Sequence, residues 1–201
     1  MVWDHWPVQQ ISSRVVYANA WMSVREDQVQ RQDGSTGIYG VVDKPDFALI
    51  IPRGPDGFWM VEQYRYPVER RAWEFPQGSW AGSPEGDQLA LAQTELLEET
   101  GLRAAKMEHL GHLFEAYGFS TQGFDVFLAG DLTPGEPRRE ITEDDMTHRF
   151  VTDLELYEMI KSGDVVDAPS LAALSLYQLH QQANATTEAV PHDRQDSPQQ
   201  S

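Results

Sequence analysis

The chain has 201 residues, of which 40% are hydrophobic and six are tryptophan, so it is long enough to bury the core of a globular domain. Its 32 acidic and 15 basic residues give a formal net charge of -17, which repels nucleic acids and anionic membranes, and we expect neither as a partner. Because the chain has no cysteine, disulfides, thiolate nucleophiles and cysteine-zinc sites are excluded, and any metal must be held by oxygen or histidine.

The first predicted element is a small antiparallel sheet within residues 14–43, whose hairpin turn is marked by Asp33 and Gly34. Apolar, strand-like runs follow, and we expect them to form the core of one mixed sheet. They are FALIIPR (47–53), FWMVEQYRYP (58–67) and AWEFPQG (72–78).

The spacing of apolar residues then becomes helical, with Leu89, Ala92 and Leu96 on one face. This predicts a helix over about residues 86–100, ended by Gly101 in a left-handed conformation. The remaining predicted elements are strands at 107–117 and 124–132, an acidic loop at 136–146, a strand at THRFVT, helices at 153–163 and 170–182, and a polar tail expected to be disordered.

This order of elements predicts an α+β or mixed α/β sandwich with a small N-terminal antiparallel sheet. The predicted organisation is a small sheet over residues 1–45, a main domain over 46–182 and a disordered tail over 183–201. No glycine fingerprint or phosphate-binding lysine loop opens a helix, which disfavours a dinucleotide-binding fold. The sequence also has no basic and apolar leader and no apolar run near 18 residues, so we expect a cytoplasmic protein.

Three glutamates lie at the end of the predicted first helix. Glu95, Glu98 and Glu99 project to one side because residues three and four apart are helical neighbours. Each like-charged pair costs about 0.2–0.5 kcal/mol, and the helix dipole disfavours each charge by roughly 0.3–1 kcal/mol. Folding alone does not favour this arrangement, whereas Mg²⁺ or Mn²⁺ would, because both prefer oxygen ligands. By spacing alone, a metal site and a solvated acidic face both stay open.

The stretch GSWAGSPEGDQLALAQTELLEETGL (78–102) resembles the signature of the Nudix hydrolases and matches its second half residue for residue from Glu95 to Leu102. The segments VEQYRYP, WEFPQG, AYGFSTQGFDVFLAGDL and GDVVDAPSLAALSLYQLHQQ are similar to the ADP-ribose pyrophosphatase branch of that family. The resemblance covers most of residues 14–182 and implies the Nudix fold, a mixed α/β/α sandwich.

The resemblance also implies a metal site. Glu95 and Glu99 would be direct ligands of Mg²⁺, with Mn²⁺ as a substitute, at two or three ions per site. Glu98 would share the ions or act through water, and the backbone carbonyl of Gln77 would be a further ligand.

The catalytic base is implied to lie in the acidic loop EITEDDM, where Glu143 is the first choice, Asp144 the next and Glu140 the third. Substrate contacts are implied for Arg65 and Glu74. Together with Glu98, these residues complete the expected catalytic and substrate-binding set.

The implied activity is metal-dependent hydrolysis of the diphosphate in a nucleoside diphosphate derivative. ADP-ribose is the first candidate and would give AMP and ribose 5-phosphate. Open alternatives are a nucleotide sugar such as GDP-mannose, a dinucleotide, or a nucleotide-sensing module without catalysis. The resemblance further implies a homodimer that exchanges the N-terminal sheet between protomers, and a short sheet cannot bury its apolar face alone.

The sequence departs from the family pattern at three places. Thr94 stands where the signature has arginine, and Gly86 stands where it has its early glutamate, after a loop two residues longer than usual. Ala116, Tyr117 and Gly118 replace a Ser-Pro-Gly turn. Tyr117 is the feature that keeps the alternative substrates open.

Overall fold

The computed structural model describes residues 7–80, 86–138 and 145–188. It begins with an antiparallel sheet of three strands that are neighbours in chain order. The predicted hairpin turn is confirmed, because Gly34 has a φ of 82° and Asp33 Oδ1 accepts a 2.9 Å hydrogen bond from the Ser35 backbone. The three strands are β1 (Val8–Ala18), β2 (Ser23–Arg31) and β3 (Thr36–Asp43). The first strand begins before the predicted residue 14, in a polar stretch without strand periodicity.

Two further sheets form the body of the protein. Their strands are β4 (Phe47–Pro52), β5 (Gly57–Arg65), β6 (Arg70–Glu74), β7 (Gln77–Gly78), β8 (Arg103–Phe114), β9 (Gly123–Thr133) and β10 (Thr147–Thr152). The mixed sheet has the order β7-β4-β9-β8, with β4 and β9 parallel, and the other sheet has the order β10-β5-β6.

The prediction that β4, β5 and β6 share one sheet is wrong, because β4 belongs to the mixed sheet while β5 and β6 belong to the other. The chain crosses between the sheets over residues 53–56, where the Gly54 backbone donates to Gly57. Strand segments that are similarly hydrophobic do not indicate which strands pair with each other.

Three α-helices lie in the described part of the chain: α1 (Gln88–Thr100), α2 (Asp153–Ser162) and α3 (Ala168–Glu188). The predicted α1 is confirmed. Asp87 caps its start by accepting from the Leu89 backbone, and Gly101, with φ of 74°, ends it. None of the described helices is both long and apolar enough to cross a membrane, and the cytoplasmic location stays a prediction.

Helix α3 runs past its predicted end at Gln182, so the prediction of a disordered tail is wrong for residues 183–188. Polar side chains support this extension locally. Asn184 contacts His180 at 2.9 Å, and the Thr186 hydroxyl donates to the Gln182 carbonyl at 2.9 Å. An exposed helix of polar residues shows no apolar period, which is why the sequence did not indicate it.

Strand β4 is buried on both faces and separates two apolar clusters. Phe47, Leu49 and Ile51 face the second sheet and the helices α2 and α3. The alternate residues, Ala48 and Ile50, face α1. The mixed sheet therefore lies between α1 and the remaining layers, which confirms the α+β sandwich and brings the C-terminal half of α1 against β7.

Leu96 on α1 is 1% exposed within this core. We expect Leu96→Ala to lower the free energy of unfolding by about 2–5 kcal/mol, because the substitution leaves a cavity under the helix. Leu89→Ala on the same helix is the matched control, since Leu89 is 39% exposed and its loss should cost no more than about 0.5 kcal/mol. Urea denaturation measures both, and equal losses in the two variants would contradict this packing.

Candidate active site

A cavity of about 630 Å³ opens where β5, β6 and β7 meet the start of α3. Four residues that the sequence assigned to substrate or to the metal-binding segment line it: Arg65, Glu74, Gln77 and Gly78. The sequence did not assign the other polar side chains of its wall. These are Lys44, Ser79, Glu115, Gln122 and Asp167.

The buried Glu74 carboxylate and the partly exposed Arg65 guanidinium form an ion pair in the wall of the cavity. Glu74 is 1% exposed. Arg65 Nη2 contacts Glu74 Oε1, Arg65 Nε donates to Oε2 at 3.2 Å, and Gln63 Nε2 donates to Oε1 at 2.8 Å. Burial raises the pKa of the Glu74 carboxyl, and the positive charge of Arg65 offsets only part of that rise. Glu74 therefore orients Arg65, and the predicted contact of Glu74 with substrate stays a prediction.

The Arg65 guanidinium lies among several carboxylates. Burial alone would lower its pKa, but the charge and hydrogen bonds of Glu74, followed by the charges of Asp167 and Glu99, raise it above its ordinary value. Its side chain keeps 42% of its surface exposed. Arg65 is thus a fixed positive charge that a ligand in the cavity can reach.

Helix α1 brings two of its three glutamates against β7. Glu99 is 1% exposed, and its Oε2 accepts a 3.2 Å hydrogen bond from the Gln77 backbone. The Glu95 carboxylate lies over Gly78, where a Cβ atom would collide with it. Glu98 is half-buried beside them. The structure therefore brings together Glu95, Glu99 and Gln77, three of the four predicted metal-binding residues.

Among the residues that the structure describes, no three histidine or acidic side chains are placed closely enough to hold a metal ion. The donor set at β7 nevertheless fits a hard divalent cation in its chemistry. It offers the carboxylates of Glu95 and Glu99 beside a backbone segment whose Gly78 leaves room for them.

The predicted catalytic bases Glu143 and Asp144, and Glu140 behind them, lie outside the described residues. The described chain on either side of them is hydrogen-bonded to α1 and to β6. The Arg138 backbone donates to the Glu98 carbonyl at 3.0 Å. Arg71 donates to the Asp145 carboxylate at 2.5 Å and to its backbone carbonyl at 2.8 Å. The first of these bonds ties the chain before the bases to α1.

The structure shows the surroundings of two of the positions at which the sequence departs from the family signature, Thr94 and Gly86. The Thr94 hydroxyl donates to the Ala90 carbonyl at 2.9 Å, one turn earlier in its own helix. A Cβ atom at Gly86 would fall on the Trp80 indole ring. The space beside position 86 is therefore occupied by an aromatic ring, and a larger residue there would have to displace it.

The third departure forms a turn beside the cavity. The Ala116 carbonyl accepts hydrogen bonds from the backbones of Phe119 and Ser120 at 3.0 and 2.9 Å. Ala116 lines the cavity, whereas Tyr117 is 85% exposed. Ala116 is thus the member of this turn placed to meet a ligand in this cavity.

Asp167 is one of the polar cavity residues that the sequence did not indicate. It immediately precedes α3, and its Oδ2 accepts from the Ser170 backbone at 2.8 Å, which is the arrangement of a helix N-cap. The signal was present in DAPS, because aspartate and proline mark helix starts. The predicted start near Ser170 lay just past this cap.

Comparisons with known proteins agree with this fold. Residues 8–42 match the family model described as the nucleoside diphosphate sugar hydrolase N-terminal domain. The chain is 32% identical to an ADP-ribose pyrophosphatase of Mycobacterium tuberculosis (strain H37Rv), over 82% of this chain and 80% of the relative. It is 27% identical to an ADP-ribose pyrophosphatase of Bacillus subtilis (strain 168), over 87% and 95%.

Two further matches have other names. A methanol dehydrogenase activator of Bacillus methanolicus is 27% identical over 85% of this chain and 92% of the relative. The crystal structure of an ADP compounds hydrolase superposes with a TM-score of 0.78 at 18% identity, covering 89% of this chain and 96% of that one. The latter match establishes the shared fold.

The relatives above show that the chain belongs to the Nudix hydrolase family, in the ADP-ribose pyrophosphatase branch, and is a pyrophosphate-hydrolysing enzyme.

The raised pKa of Glu74 predicts a pH dependence of stability. The folded protein binds the Glu74 proton more tightly than the unfolded chain does, so this group's contribution to stability falls as pH rises from 4.5, its ordinary pKa, through the raised value. Glu74→Gln removes that contribution. We therefore expect the stability of the variant relative to wild type to improve as pH rises across this window.

Urea denaturation in the presence of a chelator, from about pH 4 to pH 8, measures this difference. The raised pKa would be contradicted if the difference in unfolding free energy between Glu74→Gln and wild type stayed constant with pH. It would also be contradicted if the variant became less stable relative to wild type as pH rises.

Proposed function

We propose that the protein is a metal-dependent pyrophosphohydrolase of nucleoside diphosphate derivatives, with ADP-ribose as the first candidate substrate. The observation that carries the proposal is the contact of the buried Glu99 carboxylate with the Gln77 backbone at 3.2 Å, beside a cavity that contains Arg65. Two relatives named ADP-ribose pyrophosphatase support the choice of substrate. The products would be AMP and ribose 5-phosphate.

Glu95, Glu99 and the Gln77 carbonyl would hold Mg²⁺, or Mn²⁺ in its place, with Glu98 sharing the ions or acting through water. Oxygen donors of this kind suit both ions, and we expect two or three ions per site. When bound, the ions supply charge neutralisation at the phosphoryl oxygens and lower the pKa of a bound water.

The protein's own side chains would do the remaining work. Arg65, held by Glu74, is a reachable guanidinium in the cavity and would bind a phosphate oxygen. The cavity of about 630 Å³ is of the size that small ligands occupy. A carboxylate from Glu143 or Asp144 would hold the attacking water in line with the diphosphate and accept its proton.

A second candidate substrate class is the nucleoside diphosphate sugars, with GDP-mannose as the example. Its support is the match of residues 8–42 to a domain described by that activity. Dinucleotides, and binding of a nucleotide without turnover, are the remaining alternatives. The same assay separates all of them.

The test is a panel of ADP-ribose, GDP-mannose and a dinucleotide, each incubated with excess Mg²⁺ while phosphatase-releasable product is measured. We expect turnover of ADP-ribose. Glu99→Gln should lower kcat by at least about 100-fold, because loss of even an outer-shell partner costs about 10- to 100-fold. The same variant should bind Mn²⁺ more weakly in a calorimetric titration without substrate.

The matched control is Glu158→Gln, which removes an exposed carboxylate paired with Lys161 on α2 and should leave kcat and Mn²⁺ affinity unchanged. Absence of turnover at high enzyme concentration would refute catalysis. A fully active Glu99→Gln would refute the metal assignment.

We also propose a homodimer formed through the N-terminal sheet. Strand β1 is exposed along its whole length, and the sheet carries exposed Ile11, Val15 and Ile38, at 57%, 64% and 62%. A three-stranded sheet that leaves such apolar side chains exposed gains little stability alone. A second copy of this chain would cover these side chains and complete each active site.

Sedimentation velocity at micromolar concentration tests the dimer. We expect the wild type to sediment as a dimer and Val15→Asp to shift it toward monomer, because the substitution places a charge in the buried contact. Leu154→Asp is the matched control, since Leu154 is 73% exposed on α2. A wild type that sediments as a stable monomer would overturn the proposal.

A further inference from the structure

Residues 167–170, at the start of α3, are hydrogen-bonded to the chain that leads from β6 into β7 beside the cavity. Ser170 is 1% exposed, and its hydroxyl accepts a 2.9 Å hydrogen bond from the Phe75 backbone. Asp167 Oδ2 accepts from the Ser170 backbone at 2.8 Å. One end of the helix is therefore bound to the segment that leads directly into Gln77.

The same oxygen of Asp167 also reaches Gln77 itself. Gln77 Nε2 donates to Asp167 Oδ2 at 3.3 Å, while the Gln77 backbone N–H donates to Glu99 Oε2 at 3.2 Å. Gln77 is only 9% exposed. Its side chain is thus held by α3 and its backbone by α1, so it connects the two helices across β7.

Helix capping alone does not explain an aspartate at this position. Serine, threonine and asparagine cap helices about as well as aspartate does and add no charge. Asp167 adds a third carboxylate to those of Glu74 and Glu99, all close enough to affect the Arg65 guanidinium. A charged acceptor shared by two donors, however, holds the Gln77 amide more firmly than a neutral one would.

We propose that Asp167 is a positioning residue, which acts through the Gln77 side chain to fix the Gln77–Gly78 peptide against the glutamates of α1. It would thereby set the direction of the Gln77 carbonyl at the metal-binding segment. This inference rests on the proposed function. It means that Asp167, in the DAPS segment, affects metal binding and catalysis through Gln77 as well as capping α3.

The test separates this role from capping. Asp167→Ser keeps a capping oxygen but is too short to reach Gln77, and Gln77→Met keeps the backbone groups but removes the side-chain donor. We expect each to weaken Mn²⁺ affinity, measured by calorimetry without substrate, and to lower kcat, each by about tenfold. Because both variants break one contact, the double variant should be no worse than either single variant.

Two further variants sharpen the result. Asp167→Asn keeps both the helix cap and an acceptor for the Gln77 amide, and it removes only the negative charge of that acceptor. Its Mn²⁺ affinity should therefore stay within about threefold of wild type, unlike that of Asp167→Ser. Asp164→Asn is the matched control, because Asp164 bonds to the Ser162 hydroxyl at 2.7 Å on the surface. It should leave Mn²⁺ affinity and kcat unchanged.

Wild-type Mn²⁺ affinity in Gln77→Met would overturn the proposal, and this variant leaves the helix cap intact should Asp167→Ser fail to fold. Additive losses in the double variant would also overturn it, because they would mean that Asp167 and Gln77 act separately. If the wild type hydrolyses nothing while the Mn²⁺ losses are non-additive, the proposed function fails and the positioning role stands.

Discussion

The hydrogen bond from the Gln77 backbone to the buried Glu99 carboxylate is the contact on which the candidate site depends. Burying a carboxylate costs several kcal/mol unless partners replace its hydration, so the position of Glu99 is closely tied to that of β7. The helix can deliver Glu99 there because Gly101 ends α1 two residues later. Gly78 completes the fit, since any side chain at that position would meet the Glu95 carboxylate.

The excess of carboxylates over positive charges around Arg65 supports the proposed dependence on a metal ion. Glu74, Asp167 and Glu99 affect a single guanidinium, Arg65, within a protein of net charge -17. Such a set would repel a diphosphate on its own, because the carboxylates outnumber the positive charge near them. Divalent ions between the glutamates of α1 and the substrate would reverse this balance, which is the physical support for proposing them.

The sequence predicts those parts of the structure that are encoded locally. The limits of α1 follow from its apolar period, its aspartate cap and its terminal glycine, and the signature identifies the glutamates it carries. The separation of β4 from β5 was not predictable, because both are apolar runs and strand pairing depends on distant partners. Asp167 was missed for a related reason, since it meets Gln77 across 90 residues of sequence.

The departures from the family signature can be understood through the same contact. The Thr94 hydroxyl bonds within its own helix, so residue 94 supplies no positive charge to orient a neighbouring glutamate. The orientation of Glu99 is instead supported by β7, through the Gln77 backbone, and Gln77 is held in turn by Asp167. In this chain the placement of Glu99 is therefore supported by a tertiary contact between α1 and β7, and the Asp167 contact with Gln77 extends this support to the start of α3.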